Sequence, residues 1–269
     1  MQKATLLRVF PRKTKWTPTD GLAFVGDPPL MRPDADEVHV SATFTWDIPE
    51  AKRLQRAWSQ YYPNVRLGGP ALGDPGGAFC PGRYIKEGVV FTSRGCRFRC
   101  AWCFVPEREG LIRELPITHG WIVQDNNLLA CSRPHIEAVF EMLRGQRHRA
   151  VFSGGWDIRL LRPWHVDLLK SIRLGEVWVA CDSADRLPLL VRASEILAGI
   201  PTRKRRCYAL VGFGDDTLED AETRLSTIYG LGFLPFAQLY RAETPREWPA
   251  PWRALARKWS RPAAYRSAA

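Results

Sequence analysis

Several absences narrow this sequence before any motif does. No run approaches the ~18 consecutive apolar residues that a membrane span needs, so no membrane partner is expected. The opening MQKATLLRVFPRKTKW has neither the apolar core nor the small-residue cleavage site of a secretory signal, which points to a cytoplasmic protein. The five histidines are scattered without metal-ligand spacing, and none is assigned a role. An even set of cysteines is missing too: there are seven, three of them inside eight residues. That pattern argues against a secreted disulfide framework and for metal or redox chemistry in a reducing compartment. Acidic residues are in deficit, 28 against 39 Lys+Arg, for a net charge of +11.

The basic excess is concentrated in RVFPRKTKW, TRKRRCY and RALARKWSRPAAYR. Such a field attracts polyanions, so a nucleotide or nucleic-acid substrate is expected, with a merely solvated basic surface as the alternative. A chain of 269 residues that is 45% hydrophobic is long enough for one large domain with a small appendage.

Residues 1–37, rich in Pro, Asp and Lys and without a period, read as an N-terminal arm. Residues 38–84 read as a truncated Rossmann-like βαβ unit. It has a strand at 38–46, a helix at 48–62 carrying Ile48, Ala51, Leu54, Trp58 and Tyr61 on one face, and a strand at 64–72. GDPGGAFCPG (73–82) reads as a linker or a loop over a site. Through 85–241 strands are expected at 88–93, 120–125, 149–154, 176–182, 206–212 and 235–240, separated by amphipathic helices; Thr217 and Asp220 form a weak capping box on the last. Residues 242–269 form a C-terminal extension rich in Arg and Trp. It suits base stacking with phosphate contact, or else an amphipathic helix covering the sheet. Strands joined by crossover helices make a parallel sheet of α/β class, and sites in such folds lie at the carboxyl ends of the strands.

At the end of the first of these strands stands GCRFRCAWC, placing Cys96, Cys100 and Cys103 in a C-x3-C-x2-C spacing. Thiolates so spaced can converge on one centre. Structural zinc normally takes four protein ligands, and the loop holds no fourth Cys or His. A 4Fe-4S cube on three cysteines keeps one iron open for an exogenous ligand. The spacing, its place after strand one, Trp102 before the last cysteine and the βα repeats resemble the radical S-adenosylmethionine (radical SAM) superfamily over roughly residues 85–240.

The resemblance implies a partial (β/α)6 TIM-like barrel. It implies a 4Fe-4S cluster on Cys96, Cys100 and Cys103, S-adenosylmethionine (SAM) as second cofactor, and a one-electron reductant of flavodoxin or ferredoxin type as partner. In that family the reduced cluster cleaves SAM to methionine and a 5'-deoxyadenosyl radical, which abstracts a substrate hydrogen. Carried over singly, Ser153, Gly154 and Gly155 of FSGGWD match the segment that meets the SAM amino group, with Trp156 where many members have Glu. Asp182 and Ser183 match contacts to ribose hydroxyls or the methionyl end, and Tyr208, Val211 and Gly212 match the adenine-facing segment; Trp102 completes the cofactor set. Cys80, Asp125, Asn126 and Asn127 are the candidates for substrate chemistry, the last three alternatively capping their loop. Cys131, Cys181 and Cys207 read as small core residues.

The 38–84 unit resembles a shortened cobalamin-binding domain. No D-x-H-x-x-G segment supplies a cobalt ligand, so no cobalamin is expected. A compact barrel without that cofactor suits a hydrogen-abstracting isomerase or rearrangement. The resemblance extends to enzymes that remodel amino-acid-decorated thymine in bacteriophage DNA hypermodification. A peptide-modifying radical SAM maturase and a structural-zinc nucleic-acid-binding protein are the rival readings.

Overall fold

The computed structural model describes residues 4–74, 79–242 and 247–266, the side chain of Arg266 excepted. The chain divides into two compact units, 1–89 and 90–269. Both are α/β with parallel strands, and no helix among the described residues is long and apolar enough to cross a membrane.

In the first unit, β1 (Leu6–Phe10), β2 (Ala23–Val25), β3 (Glu37–Ser41) and β4 (Val65–Gly68) form a parallel sheet in the order β2-β1-β3-β4, with α1 (Ile48–Trp58) crossing from β3 to β4. The expected βαβ unit is therefore present, but residues 1–37 are not an arm: β1 is an interior strand of the sheet. Its pattern LLRVF is short enough to escape a periodicity search, yet Leu7 and Val9 are fully buried with Val38 and Val40 against Ala51, Leu54 and Trp58 of α1. The helix stops at Trp58, short of the expected residue 62. The chain then turns, so that Tyr62 enters the core and Tyr61 is left exposed. Trp58 satisfies its indole by donating to the Gly26 carbonyl at 3.1 Å.

The second unit holds β5 (Val89–Val90), β6 (Ser93–Arg94), α2 (Val105–Arg108), β7 (Arg113–Glu114), β8 (Ile122–Val123), α3 (Arg133–Arg144), β9 (Ala150–Trp156), α4 (Pro163–Lys170), β10 (Leu174–Ala180), α5 (Leu187–Ile196), β11 (Arg205–Val211), α6 (Leu218–Gly230), β12 (Leu234–Leu239), α7 (Ala250–Trp259) and α8 (Pro262–Arg266). Six strands lie in the order β12-β11-β10-β9-β8-β5, and the pairs from β8 to β12 are all parallel. This sequential order comes from crossovers of the same kind repeated by α3, α4, α5 and α6, each joining neighbouring parallel strands. The first connection differs: in place of a long helix it carries the β6–β7 hairpin, the cysteine loop and the single turn of α2.

Alternation along the strands separates two faces. Phe152, Val177, Val179, Cys181, Cys207, Ala209 and Val211 pack into the helix-side core with Ile136, Phe140, Leu169, Leu190 and Leu225. Glu176, Trp178, Arg206, Tyr208 and Phe236 occupy the other face, where the Tyr208 ring lies 4.3 Å from Trp178 and 5.9 Å from Phe236. The Thr217–Asp220 capping box is complete. In the C-terminal extension, Leu255 and Trp259 of α7 join the core, and Trp259 donates its indole hydrogen to Glu222 at 2.8 Å. The amphipathic-helix reading of that segment holds for Trp259, whose ring is buried and unavailable for base stacking.

Candidate metal centre

The cysteine loop begins where β5 ends and is held by consecutive residues at the end of β8. Asp125 accepts from the Thr92 backbone N–H at 2.6 Å, the Thr92 hydroxyl at 2.5 Å and the Ser93 hydroxyl at 2.8 Å. Asn126 accepts from Gly95 N–H at 2.9 Å, and Asn127 donates its amide to Cys96 Sγ at 3.5 Å. Asp125 does not cap the loop that follows it: its buried carboxyl is spent on Thr92 and Ser93, at the start of the cysteine loop. Burial pushes its pKa up, and the hydrogen bonds from Thr92 and Ser93 oppose the rise. Gly95 has φ of 85°, and a Cβ there would lie 2.1 Å from the Leu111 carbonyl oxygen, so only glycine permits this entry to the loop.

All three thiols are half-buried. Cys96 Sγ also accepts from the Phe98 backbone N–H at 3.5 Å. Cys100 Sγ accepts from two guanidinium groups, Arg186 at 3.5 Å and Arg159 at 3.8 Å. Arg159 is placed by Asp157, which its Nε reaches at 2.8 Å, and by the face of Phe98, 3.5 Å from the ring centroid; Arg186 lies over Trp102 at 5.3 Å. Burial pushes the Cys103 thiol up; a hydrogen bond from Val105 N–H opposes this, and the nearby Cys100 and Cys96 add to it. Among the described residues no three His, Cys, Asp or Glu side chains are gathered closely enough to hold a metal ion as they stand.

Sequence reasoning missed Arg159 and Arg186. Each stands three or more residues beyond a strand end, in WDIR and SADR, and in a chain with 39 basic residues nothing local separates them from solvated arginines.

The remaining candidates occupy the carboxyl ends of β9, β10 and β11. Ser153 is buried, and its hydroxyl has no partner among the described residues; the Ser183 hydroxyl and Asn127 Oδ1 are in the same state. A Cβ on Gly154 would fall 1.8 Å from the Asp125 carbonyl oxygen, whereas Gly155, at φ of 89°, has the edge of the Tyr208 ring 3.7 Å away. Asp182 accepts from Trp102 Nε1 at 3.3 Å and from Leu210 N–H at 3.2 Å, and burial raises its pKa. Both of its oxygens are thus engaged within the protein. Tyr208 donates to the Ser153 carbonyl at 3.0 Å, and burial raises its phenol to about 12. Val211 points into the helix-side core and its carbonyl accepts from Tyr240 N–H at 2.9 Å. Gly212 is approached by Trp248, whose indole edge would lie 2.2 Å from an added Cβ.

The other cysteines divide. Cys181 and Cys207 are fully buried core residues, Cys181 with its thiol raised to about 12 by burial, and Cys131 is half-buried with its thiol at about 11. Cys80 is exposed and belongs to the first unit; four residues of the loop that precedes it, 75–78, lie outside the described residues, as do 243–246 of the C-terminal extension.

No protein-family model matches this chain, and no curated protein matches it either.

Proposed function

We propose that this chain is a radical SAM enzyme whose Cys96, Cys100 and Cys103 hold a 4Fe-4S cluster, and that its second unit is a partial (β/α)6 TIM-like barrel. The observation that carries the reading is the placement of three cysteines on one short loop, at the carboxyl end of the first strand of the six-stranded sheet, with Asn127 donating to the Cys96 sulfur and Arg159 and Arg186 to that of Cys100. Thiolate sulfur is the ligand iron–sulfur clusters take, and charge-assisted hydrogen bonds to sulfur stabilise the negative charge such a centre gathers.

The chain's own groups also suit a second, polar cofactor. The Ser153 and Ser183 hydroxyls and Asn127 Oδ1 carry unspent hydrogen-bonding capacity at or just beyond strand ends. A cluster held by Cys96, Cys100 and Cys103, with SAM bound beside it, would supply the one-electron chemistry for hydrogen abstraction. Trp102, which belongs to the loop, packs edge-on against Phe213 at 5.7 Å, and Trp178, Tyr208 and Phe236 pack together on the face of the sheet away from the helices.

For the substrate we propose a nucleotide or a base within nucleic acid, undergoing isomerisation or rearrangement, because the net charge of +11 favours an anionic partner. A base in a duplex has to leave the stack before it reaches such a site. A one-electron reductant of flavodoxin or ferredoxin type completes the system.

Anaerobic reconstitution with iron and sulfide tests the core of this reading. A brown protein that converts SAM to methionine and 5'-deoxyadenosine is expected, and Cys96→Ala, Cys100→Ala and Cys103→Ala should each abolish cluster retention and SAM cleavage. A colourless protein holding one zinc and indifferent to SAM overturns it. For the substrate, binding to DNA should weaken with salt at a log–log slope of about −0.9 per neutralised phosphate on duplex. If a peptide or small metabolite stimulates 5'-deoxyadenosine formation while DNA and nucleotides neither bind nor stimulate, the nucleic-acid assignment fails and the cluster assignment stands.

A further inference from the structure

The first unit contains a cavity of about 260 Å³ at the carboxyl ends of β3 and β4, on the side of the sheet away from α1, walled by His39, Ser41, Arg66, Asp74, Arg83 and Tyr84. Alternation along β3 turns Val38 and Val40 toward α1 and His39 and Ser41 toward the cavity. Gly68 and Gly69 form part of the wall with backbone alone. A Cβ on Gly68 would lie 2.6 Å from an Asp74 carboxylate oxygen, and one on Gly69, whose φ is 107°, only 2.4 Å from the Ala42 carbonyl oxygen.

Hydrogen-bonding capacity is spent unevenly around this wall. Glu37, His39 and Tyr84 form a chain: the carboxylate lies 2.9 Å from His39 Nε2, and His39 Nδ1 meets the Tyr84 hydroxyl. With the carboxylate taking the Nε2 proton, Nδ1 accepts from Tyr84, whose oxygen keeps a lone pair for a ligand. The donors are the unspent part. Ser41 is only 6% exposed, yet its hydroxyl makes no hydrogen bond among the described residues. Arg83, half-buried, makes no side-chain hydrogen bond or ion pair among them. Arg66 has only a long 3.8 Å approach to Glu37. A buried hydroxyl and two under-used guanidinium groups facing one cavity complement an oxyanion, and the guanidinium fork matches phosphate geometry. The Tyr84 oxygen adds an acceptor, which suits a ligand hydroxyl and not a second phosphate. The volume lies just under the ~300–1,000 Å³ usual for small-ligand pockets, enough for one small molecule and too little for an oligonucleotide.

We propose that this cavity binds a phosphate monoester bearing free hydroxyls, of the nucleoside monophosphate class. The site is independent of the cysteine loop.

Isothermal titration of the full chain with thymidine 5'-monophosphate, thymidine, inorganic phosphate and a single-stranded DNA dodecamer tests it, on the wild type and on the Cys96→Ala/Cys100→Ala/Cys103→Ala variant. Saturable one-to-one binding of the monophosphate is expected in both proteins, with inorganic phosphate competing weakly at the same site. Arg83→Gln should weaken binding about tenfold or more, as loss of a charged hydrogen bond does. Ser41→Ala, which removes no contact made within the described protein, should weaken it by about three- to fivefold with an unchanged melting temperature. The proposal is overturned if neither the monophosphate nor phosphate binds, if thymidine binds as tightly as its monophosphate, if only the dodecamer binds, or if Arg83→Gln and Ser41→Ala both leave the affinity unchanged. Loss of binding confined to the triple-cysteine variant would also overturn it, by tying the ligand to the cysteine loop.

Discussion

The two sheets of this protein share a helix-covered face and differ on the other. In the first unit that other face carries Arg8, His39, Ser41 and Arg66; in the second it carries Trp178, Tyr208 and Phe236, with the Arg206–Glu176 pair, 2.7 Å apart, beside them. Charged groups on a covered face have to be paired or hydrogen-bonded, so the first sheet spends Arg8 on the Gly82 and Arg83 carbonyls, at 3.2 and 2.9 Å, and on Asp20. Aromatic rings have few polar obligations. On this face of the second sheet Trp178 and Arg206 donate to Glu176 and Tyr208 to the Ser153 carbonyl, while the cysteine loop is held beyond the strand ends. One face is thus built around ion and carbonyl pairing and the other around ring packing, and the same kind of substitution should have unequal consequences on them.

The largest expected effect is at Arg8, which is 7% exposed. Arg8→Met should destabilise the first unit by about 2–3 kcal/mol, because it takes a charged donor from two carbonyls and from Asp20, which is half-exposed and keeps the Leu22 N–H; chemical denaturation monitored on the first unit measures it. A loss under about 1 kcal/mol would mean that the polar face is not held by this residue.

Next is the acid response of the second unit. His165 is 2% exposed, its Nδ1 accepts from the Arg162 N–H at 2.9 Å, and burial lowers its pKa to about 4. The neutral ring is the folded form, so its contribution is complete above the ordinary histidine value near 6.5 and is lost as pH falls from there through about 4. The loss amounts to at most about 3 kcal/mol. His165→Gln should flatten melting temperature against pH across that window, and an unchanged slope would place the acid response elsewhere.

A smaller effect is expected at the loop itself. If the loop holds the proposed cluster, Arg186→Gln removes a positive charge from beside the Cys100 sulfur and should make that cluster harder to reduce, by about 30–60 mV in a one-electron titration followed by electron paramagnetic resonance. No shift, or a shift to higher potential, would show that Arg186 does not act on the cluster through charge. The smallest is Tyr208→Phe. It keeps the ring between Trp178 and Phe236 and loses only the bond to the Ser153 carbonyl, about 1 kcal/mol by thermal melting. A cost close to that of Arg8→Met would erase the distinction between the two faces.

Much of the architecture was legible because it is periodic. Ile136, Val139, Phe140 and Leu143 recur at helical spacing and are all buried, and the strands from β8 to β12 fall inside or within two residues of their expected spans. Short or unevenly patterned pieces were not legible. β1 is five residues among prolines and lysines, and its burial on both faces depends on neighbours that arrive about 30 residues later. Of the site, the three cysteines stand out by spacing alone. The end of β8 was visible as a polar cluster, but that Asp125 would anchor the cysteine loop, in place of facing a ligand or capping its own loop, turned on Thr92 and Ser93, 33 and 32 residues away.

By itself the sequence determined the local and repetitive features: alternating strands and amphipathic helices in βα order, the Thr217 cap, the C-x3-C-x2-C loop and the basic charge. These depend on residues within one or two turns of each other, and backbone geometry makes such spacing readable. Only the tertiary structure decided which side chains meet. It brought Arg186 to Cys100 across 86 residues and Arg159 to the same sulfur across 59, seated β1 inside its sheet, and left Ser41 and Arg83 with unspent donors in one cavity. Those encounters follow from strand order and crossover direction, which place strand ends side by side whatever their separation along the chain.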